Sequence, residues 1–314
     1  MHEEIRIPIG LGYIAGRWYG NRNERPILAL HGWQDNAGSF ALLAPLLSRQ
    51  VAILAIDLPG HGRSFHNPPG VMYRTMDYIR AVKEVAGHFK WPKVSLLSHS
   101  MGTSIAYMFA ALYPQLVDVM VNIDIVHCRY HPLEWQIKAL AYTTDKYVVE
   151  IERKLAKNGK KPPTYKFENL EKLLHEGSGQ SIDIEKTKYV LERNIAAVNP
   201  GVEDEFYFSR DGAIKYFQEF NTEPGLCIAM AKRMLNIKWL ILKAKDSEHI
   251  NEDSSLTQEV LQILKSNNPV FAYHVVPNAK HHCHLNNADR VADYISPFLA
   301  KHRPPEILNV ENKL

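Results

Sequence analysis

The chain has few cysteines, no long apolar run and almost no excess of charge. Its three cysteines, Cys128, Cys227 and Cys283, are odd in number and far apart in 314 residues. This argues against a disulfide framework and favours a reducing compartment. No apolar run approaches the ~18 residues that cross a bilayer, so no integral membrane segment is predicted. Basic residues outnumber acidic ones only by 37 to 34, which gives no argument for a nucleic-acid partner.

The two ends of the chain are where targeting signals occur. The stretch from Met1 to Pro8 has no basic region followed by an apolar core, so no secretory signal is predicted. The last three residues, Asn312-Lys313-Leu314, differ at one position from the peroxisomal address Ser-Lys-Leu. A cytoplasmic protein is therefore predicted, with a peroxisomal one as the alternative.

Short apolar runs alternate with helical patterns through the first part of the chain. The runs Pro26 to His31, Val51 to Ile56, Val94 to Ser98 and Val117 to Ile125 have the character of strands buried on both faces. Helical periodicity separates them, as in Thr75 to Phe89. This alternation predicts an α/β fold, with a mostly parallel central sheet and helices on both faces.

The pattern of apolar and polar residues changes between residues 127 and 236. Helical stretches rich in Lys, Glu and Tyr replace the alternation, which resumes with the apolar run Ile237 to Lys243. We therefore predict a core from residues 1–126 and 237–302 and an inserted helical cap at 127–236. Residues 303–314 have no periodicity and are predicted to be a loose C-terminal tail.

A sharp turn centred on Ser100 joins a predicted strand to a helix of small residues. The pattern Ser98-x-Ser100-x-Gly102 matches the G-x-S-x-G elbow, except that Ser98 replaces the first glycine. In that elbow the serine is strained and its hydroxyl projects above the sheet edge. A serine becomes nucleophilic when a base takes its proton and a third group orients that base. Ser100 is therefore the predicted nucleophile.

The partners of such a serine follow it in the chain order Ser, Asp, His. Two acids occupy carboxyl ends of predicted strands, where active sites of parallel sheets lie. Asp246, after the resumed strand, is the preferred orienting acid, and Asp124, at the end of the strand before the insertion, is the alternative. His281, in the loop after the last strand, is the preferred base, with His282 as the alternative.

An oxyanion formed during acyl transfer needs two backbone N–H donors. Met101, directly after the nucleophile, is predicted to supply one, and Trp33 of the His31-Gly32-Trp33 motif to supply the other.

The histidine-rich run His281-His282-Cys283-His284 contains residue types that can bind a metal ion. Ligand spacing of two to four residues does not recur elsewhere in the sequence, so no metal is predicted. No organic cofactor is implied.

Several segments together resemble those of the α/β-hydrolase-fold serine hydrolases: His31-Gly32-Trp33, Asp57-Leu-Pro-Gly-His-Gly-Arg-Ser64, Ser98-His-Ser100-Met-Gly102, Asp246 and the His281 loop. Over residues 5–300 the chain is similar to the animal serine hydrolase-like proteins, the kraken-like group. The resemblance implies hydrolysis through an acyl-enzyme, with Ser100 as nucleophile, His281 as base and Asp246 as orienting acid. The chain departs from the family at Ser98 and at Ala279-Lys280, where glycine is usual.

The expected substrate is a small acyl compound, a carboxylic ester or thioester, because a cap of this size would enclose a limited pocket that excludes water. The alternative is a non-catalytic α/β-hydrolase-fold protein that binds a ligand in the same pocket. That alternative accounts equally well for the two departures from the family pattern. The sequence gives neither the acyl length nor the oligomeric state.

Overall fold

A central β-sheet organises the residues that the computed structural model describes, which are 2–155, 162–199, 204–216 and 223–306. Within these ranges the strands are β1 (Glu3–Ile9), β2 (Gly12–Tyr19), β3 (Ile27–Leu30), β4 (Ile53–Ile56), β5 (Val94–His99), β6 (Val117–Ile123), β7 (Ile195–Ala197), β8 (Phe206–Phe208), β9 (Lys238–Ala244) and β10 (Phe271–Val276). Eight of them form one sheet in the order β1-β2-β4-β3-β5-β6-β9-β10. Strand β2 is antiparallel to both of its neighbours, β1 and β4, and the strands from β4 to β10 in this order are parallel. The predicted α/β fold with a mostly parallel sheet is confirmed.

The helices lie between the strands, as the alternation predicted, except for the last two, which follow β10. They are α1 (Leu43–Leu47), α2 (Thr75–His88), α3 (Met101–Leu112), α4 (Leu133–Leu155), α5 (Phe167–Gly177), α6 (Thr187–Asn194), α7 (Pro224–Arg233), α8 (Ser255–Asn267), α9 (Cys283–Asn286) and α10 (Ala288–His302). Among the described residues, no helix combines the length and the apolar character that crossing a membrane requires.

Both faces of the sheet are buried, because successive side chains of a strand point to opposite faces. In β3, Leu28 and Leu30 pack into one apolar cluster with residues of α2, α3 and α8. Ile27 and Ala29 pack into a second cluster with residues of α1 and α10. This explains why the central strands are continuous apolar runs in the sequence.

The chain between β6 and β9 contains α4 to α7 and a separate two-stranded sheet of β7 and β8. Helical periodicity did not predict that small sheet. Helix α7 packs against α3 and α8, and its residues Cys227 and Ala231 belong to the apolar cluster on that face of the central sheet. The last helix of the predicted cap at 127–236 therefore belongs to the helical layer of the core.

An ion pair joins α6 to the turn after β4. The Arg193 guanidinium donates to the Asp57 carboxylate at 2.7 Å, and neither side chain is exposed. Arg193 also pairs with Glu4 of β1. Asp57 in turn accepts the backbone N–H groups of Ala37 and Arg63, at 2.8 Å each. A buried carboxylate thus fixes two core loops and one helix of the insertion.

The beginning of the predicted loose tail is anchored to the core. Arg303 is 2% exposed, and its Nε donates to Ser95 Oγ at 2.7 Å. The Arg25 guanidinium donates to both carboxylate oxygens of Glu306, at 2.7 Å each. The prediction of a loose tail is therefore wrong for residues 303–306, because Arg303 binds Ser95 and Glu306 is bound by Arg25. The remainder, with Asn312-Lys313-Leu314, lies outside the described residues.

Candidate active site

Ser100 occupies a strained turn between β5 and α3. Its backbone has φ 53° and ψ −118°, and its side chain does not cap the helix that it precedes. A positive φ is costly for a residue with a Cβ, and such strain is typical of functional sites. Gly102 permits the turn, because a Cβ there would lie 2.3 Å from the carbonyl oxygen of Leu30 in β3. The elbow geometry expected from the sequence is thus present.

Ser98, which replaces the usual first glycine, fits inside this turn without displacing it. The side chain is fully buried. Its hydroxyl oxygen accepts from Thr103 Oγ1 at 3.1 Å, and its proton is directed toward Asn122 Oδ1 at 3.3 Å. These contacts link β5, β6 and α3. The Ser98 side chain therefore supports the elbow through hydrogen bonds to α3 and β6.

His281 is paired with Asp124. Its Nδ1–H donates to Asp124 Oδ2 at 2.7 Å, and the side chains are 10% and 0% exposed. Asp124 Oδ1 accepts the backbone N–H of Ala244 at 2.9 Å, and Ser247 Oγ donates to Oδ2. Because Nδ1 carries the proton, Nε2 of a neutral His281 bears the lone pair that a base needs.

The preferred acid, Asp246, is not brought to the histidine. It is exposed, and its carboxylate makes no hydrogen bond or ion pair with a described residue; only its backbone N–H is used, donating to Ala279 O at 2.9 Å. The strands β6 and β9 are neighbours, so their carboxyl ends bring both acids to the same edge. Asp124 follows β6 directly with φ 58°, and this backbone turn directs its carboxylate at the histidine. The assignment of Asp246 as partner of His281 is corrected to Asp124.

The protonation states of the pair follow from its burial. Burial raises the pKa of Asp124 to about 6, although the hydrogen bonds from Ser247 and Ala244 oppose this rise. Burial lowers the pKa of His281 below its usual value, and the nearby His282 and Arg129 lower it further. At pH 7 the pair therefore consists of a carboxylate and a neutral imidazole.

The alternative base, His282, faces away from Asp124. Its Nδ1 lies 2.6 Å from Ser181 Oγ, and its Nε2 lies 3.4 Å from Asp35 Oδ2. The His99 ring, next to Ser100, lies 4.5 Å from the His281 ring, 4.8 Å from the His282 ring and 4.1 Å from the His284 ring, centroid to centroid. The hydrogen bond to Asp124 is what distinguishes His281 from the other two. His99 Nε2 also donates to the His281 carbonyl at 3.0 Å.

The backbone N–H groups of Trp33 and Met101 have no hydrogen-bond acceptor among the described residues. Met101 is the first residue of α3, and an N–H at that position has no acceptor within its own helix. The neighbouring Gly32 packs directly on the elbow, since a Cβ there would lie 3.3 Å from Ser100 Cβ. The Trp33 loop and the start of α3 therefore border the same small space beside Ser100.

A cavity of about 380 Å³ opens at Ser100. Most of its wall is apolar and comes from the Trp33 loop, α3, the segment after β6 and the start of α4. The lining residues are Trp33, Thr75, Ser100, Met101, Ser104, Ile105, Met108, Ile125, Cys128, Arg129, His131 and Trp135. The inserted segment thus supplies part of the wall, through His131 and Trp135.

Two residues of the site were missed by the sequence analysis. The His249 ring lies 3.7 Å from the His281 ring, centroid to centroid, and Arg129 donates to His249 Nδ1. Arg129 also lines the cavity. No local pattern in the sequence marks either residue, because each belongs to a different irregular loop.

Comparison with known proteins identifies the family of this chain. The family model described as alpha/beta hydrolase fold matches residues 25–288. A probable serine hydrolase of Drosophila melanogaster is 32% identical over 302 residues, covering 95% of this chain and 87% of that protein. A serine hydrolase-like protein of Danio rerio is 32% identical over 309 residues, covering 96% and 90%.

Solved structures share the fold over almost the whole chain. The crystal structure of a hypothetical protein from Pseudomonas aeruginosa PAO1 has a TM-score of 0.79 at 25% identity, covering 95% of this chain and 100% of that one. A thioesterase domain from the curacin biosynthetic pathway has a TM-score of 0.72 at 17% identity, covering 94% and 99%, and shows the fold alone. With the family match spanning most of the chain, this protein belongs to the α/β-hydrolase-fold family, in the group of serine hydrolase-like proteins.

Proposed function

We propose that the protein hydrolyses small carboxylic esters or thioesters through an acyl-enzyme formed on Ser100. Membership of the family supports hydrolase activity in general. The observation that carries the finer proposal is the 2.7 Å hydrogen bond from His281 Nδ1 to the buried Asp124 carboxylate, beside a serine held at φ 53°. A buried carboxylate that fixes the histidine tautomer is what an activated serine requires.

Acylation uses five groups of this site. His281 Nε2 takes the proton of Ser100 as Oγ bonds to the carbonyl carbon of the substrate. The carbonyl oxygen becomes an oxyanion, which accepts hydrogen bonds from the N–H groups of Trp33 and Met101. Asp124 stabilises the imidazolium that results. The bond to the leaving alcohol or thiol then breaks, and that group takes the proton from His281.

Deacylation repeats these steps with water. His281 removes a proton from the water that attacks the acyl carbon, the same amides hold the second oxyanion, and Ser100 Oγ leaves with the proton returned by His281. Carboxylic acid is released and the serine is regenerated. The atoms and protons of both steps balance with this chain, the substrate and water alone.

The cavity supports the proposed substrate class. Its apolar wall, which includes Met108, Ile105 and Trp135, favours an acyl chain or an aromatic acyl group over a polar one. A volume of about 380 Å³ lies at the lower end of the range of roughly 300–1,000 Å³ for small-molecule sites. We therefore expect short and medium acyl groups to react faster than long ones.

Labelling with a fluorophosphonate probe tests the nucleophile. We expect the wild-type protein to be labelled, and Ser100→Ala and His281→Ala not to be, because the probe phosphonylates an activated serine. Hydrolysis of the best ester should fall about 10⁵-fold or more in Ser100→Ala, as for other triad serines.

The matched control is Ser104→Ala, which alters another serine of the same cavity, one turn along α3. It should still be labelled. Failure of folded wild-type protein to react with the probe would contradict the proposal and favour the ligand-binding alternative. A labelled protein should then be assayed on esters and thioesters of rising acyl length.

The pH profile tests the pair. A protonated His281 cannot accept the proton of Ser100, so kcat/KM must fall as pH falls through the range where the pair takes up a proton. The pKa of His281 is lowered below 6.5 and that of Asp124 is about 6. We therefore expect a flat profile from pH 7 to 8 and an acid limb with its midpoint at or below about 6. A midpoint above 7 would show that the histidine is not buried as described.

A further inference from the structure

A second cluster of buried ionisable side chains lies behind the elbow, and the mechanism above does not use it. Asp35 lies in the loop after β3, His99 ends β5, and His282 follows the catalytic histidine. Their exposed fractions are 3%, 0% and 9%. One oxygen of Asp35 and one ring nitrogen of each histidine lie within 4.8 Å of one another. Three distant segments of the chain thus bring three potential ligand atoms together.

The hydrogen bonds of His99 define where its proton is. Its Nε2 lies 3.0 Å from the carbonyl oxygen of His281, and a carbonyl only accepts, so Nε2 carries the proton. In a neutral imidazole the other nitrogen, Nδ1, bears a lone pair. His99 Nδ1 lies 3.9 Å from Asp35 Oδ2. Neither atom has a hydrogen-bond partner among the described residues, so two acceptors face each other without a proton between them.

The hydrogen bonds of His282 likewise define which of its ring nitrogens carries the proton. Ser181 Oγ donates its proton to the Ser178 carbonyl at 2.7 Å. The 2.6 Å contact between Ser181 Oγ and His282 Nδ1 therefore requires Nδ1–H as the donor. In a neutral His282 the lone pair is then on Nε2, which lies 3.4 Å from Asp35 Oδ2.

We propose that Asp35, His99 and His282 bind a divalent transition-metal ion, with Zn²⁺ as the best fit. Three lone-pair atoms converge, while both imidazole protons are held outward by a carbonyl and a hydroxyl, as is usual for histidines that bind metals. Imidazole and carboxylate ligands suit Zn²⁺ and related ions. Bonds of about 2.0–2.1 Å at tetrahedral angles place ligand atoms roughly 3.3 Å apart. The separations from Asp35 Oδ2 are 3.4 and 3.9 Å, and the two histidine nitrogens lie within 4.8 Å of each other, so the three ligand atoms must move closer together when the ion binds.

The position of the ion defines its role. None of the three ligands lines the substrate cavity, so the ion does not touch the substrate. It connects the loop that carries Trp33, the residue before Ser100 and the residue after His281. Through Ser181 it also reaches the inserted segment. The ion is therefore structural, and the proposal does not depend on the activity proposed above.

A proton can occupy the same place. If His282 carries a second proton, its imidazolium forms an ion pair with Asp35 and no metal is needed. The two arrangements differ in the number of metal ions bound per chain, so a metal-binding measurement distinguishes them.

Binding of Co²⁺, a spectroscopic substitute for Zn²⁺, tests the site in full-length protein without a histidine tag, after treatment with a chelator. We expect one equivalent to bind per chain, with visible absorption that one equivalent of Zn²⁺ removes. Asp35→Asn and His282→Gln should each weaken binding by about 100-fold or more, and Ser181→Ala by about tenfold, because it only orients a ligand. His88→Gln, which changes an exposed histidine, is the matched control and should bind as wild type does.

Folding of each variant is checked by circular dichroism. Should a ligand variant not fold, nitrogen resonances of the wild-type histidines still decide: Zn²⁺ should shift His99 Nδ1 and His282 Nε2, but not the nitrogens of His88. Absence of stoichiometric binding to folded wild type, or wild-type affinity in Asp35→Asn, would overturn the proposal. The first result would leave the ion pair as the state of the cluster.

Discussion

We expect Asp124→Asn to lower kcat on the best ester about 10⁴-fold, with a folded protein and little change in KM. The amide of asparagine can donate toward His281 Nδ1, which would then have to accept. The imidazole proton would move to Nε2, the atom that must take the proton of Ser100. The measurement is steady-state kinetics on both variants of the two candidate acids, with circular dichroism as the check on folding.

Asp246→Asn is the matched control for this prediction. It makes the same chemical change at the acid that the sequence favoured, two residues beyond β9. Since the Asp246 side chain is exposed and not bonded to His281, kcat should stay within about twofold of wild type, as is usual for surface changes. A large loss in Asp246→Asn together with an active Asp124→Asn would reverse the assignment made from the structure.

The second large effect is expected on stability. Arg193→Met should lower the free energy of unfolding by about 3–5 kcal/mol, because it leaves the Asp57 charge buried without its counter-ion. Both side chains of this pair are 0% exposed, so water cannot replace the guanidinium. The measurement is the shift of the urea midpoint at constant pH.

Two further variants separate loss of the ion pair from loss of an arginine. Arg49→Met changes an exposed arginine that forms no ion pair within the described ranges, and it should shift the free energy by no more than about 0.5 kcal/mol. Adding Asp57→Asn to Arg193→Met removes the orphaned charge. The double variant should therefore be more stable than the sum of the single changes predicts, by about 1 kcal/mol or more. Equal effects of Arg193→Met and Arg49→Met would contradict the prediction.

The predictions from the sequence were most accurate where residues close together in the chain determine the structure. Central strands such as Ile53–Ile56 are continuous apolar runs because both faces of the sheet are covered. The turn at Ser100 is marked by small residues, since Gly102 must approach the backbone of β3. These features depend on near neighbours in the chain, so the pattern of residues is sufficient to predict them.

The sequence predicted least well where side chains from distant segments meet. Asp124 and Asp246 both follow strands that end at the same edge, and the order Ser, Asp, His fits either acid. The helix of Pro224–Arg233 looked like part of the insertion, although it packs on the core. The cluster of Asp35, His99 and His282 does not show the short sequence spacing that is typical of metal ligands, because each residue comes from a different loop or strand end.

The amino-acid sequence by itself thus determined the α/β architecture, the position of Ser100 at a sharp turn and the loop that carries His281. These follow from hydrophobic periodicity and from the size of residues at one turn. Only the tertiary structure decided which carboxylate faces His281, since a positive φ at Asp124 and the pairing of β6 with β9 direct it there. The tertiary structure also decided which buried charges form ion pairs. The stability of a buried carboxylate depends on its counter-ion, and the counter-ion can be far away in the sequence, as Arg193 is from Asp57.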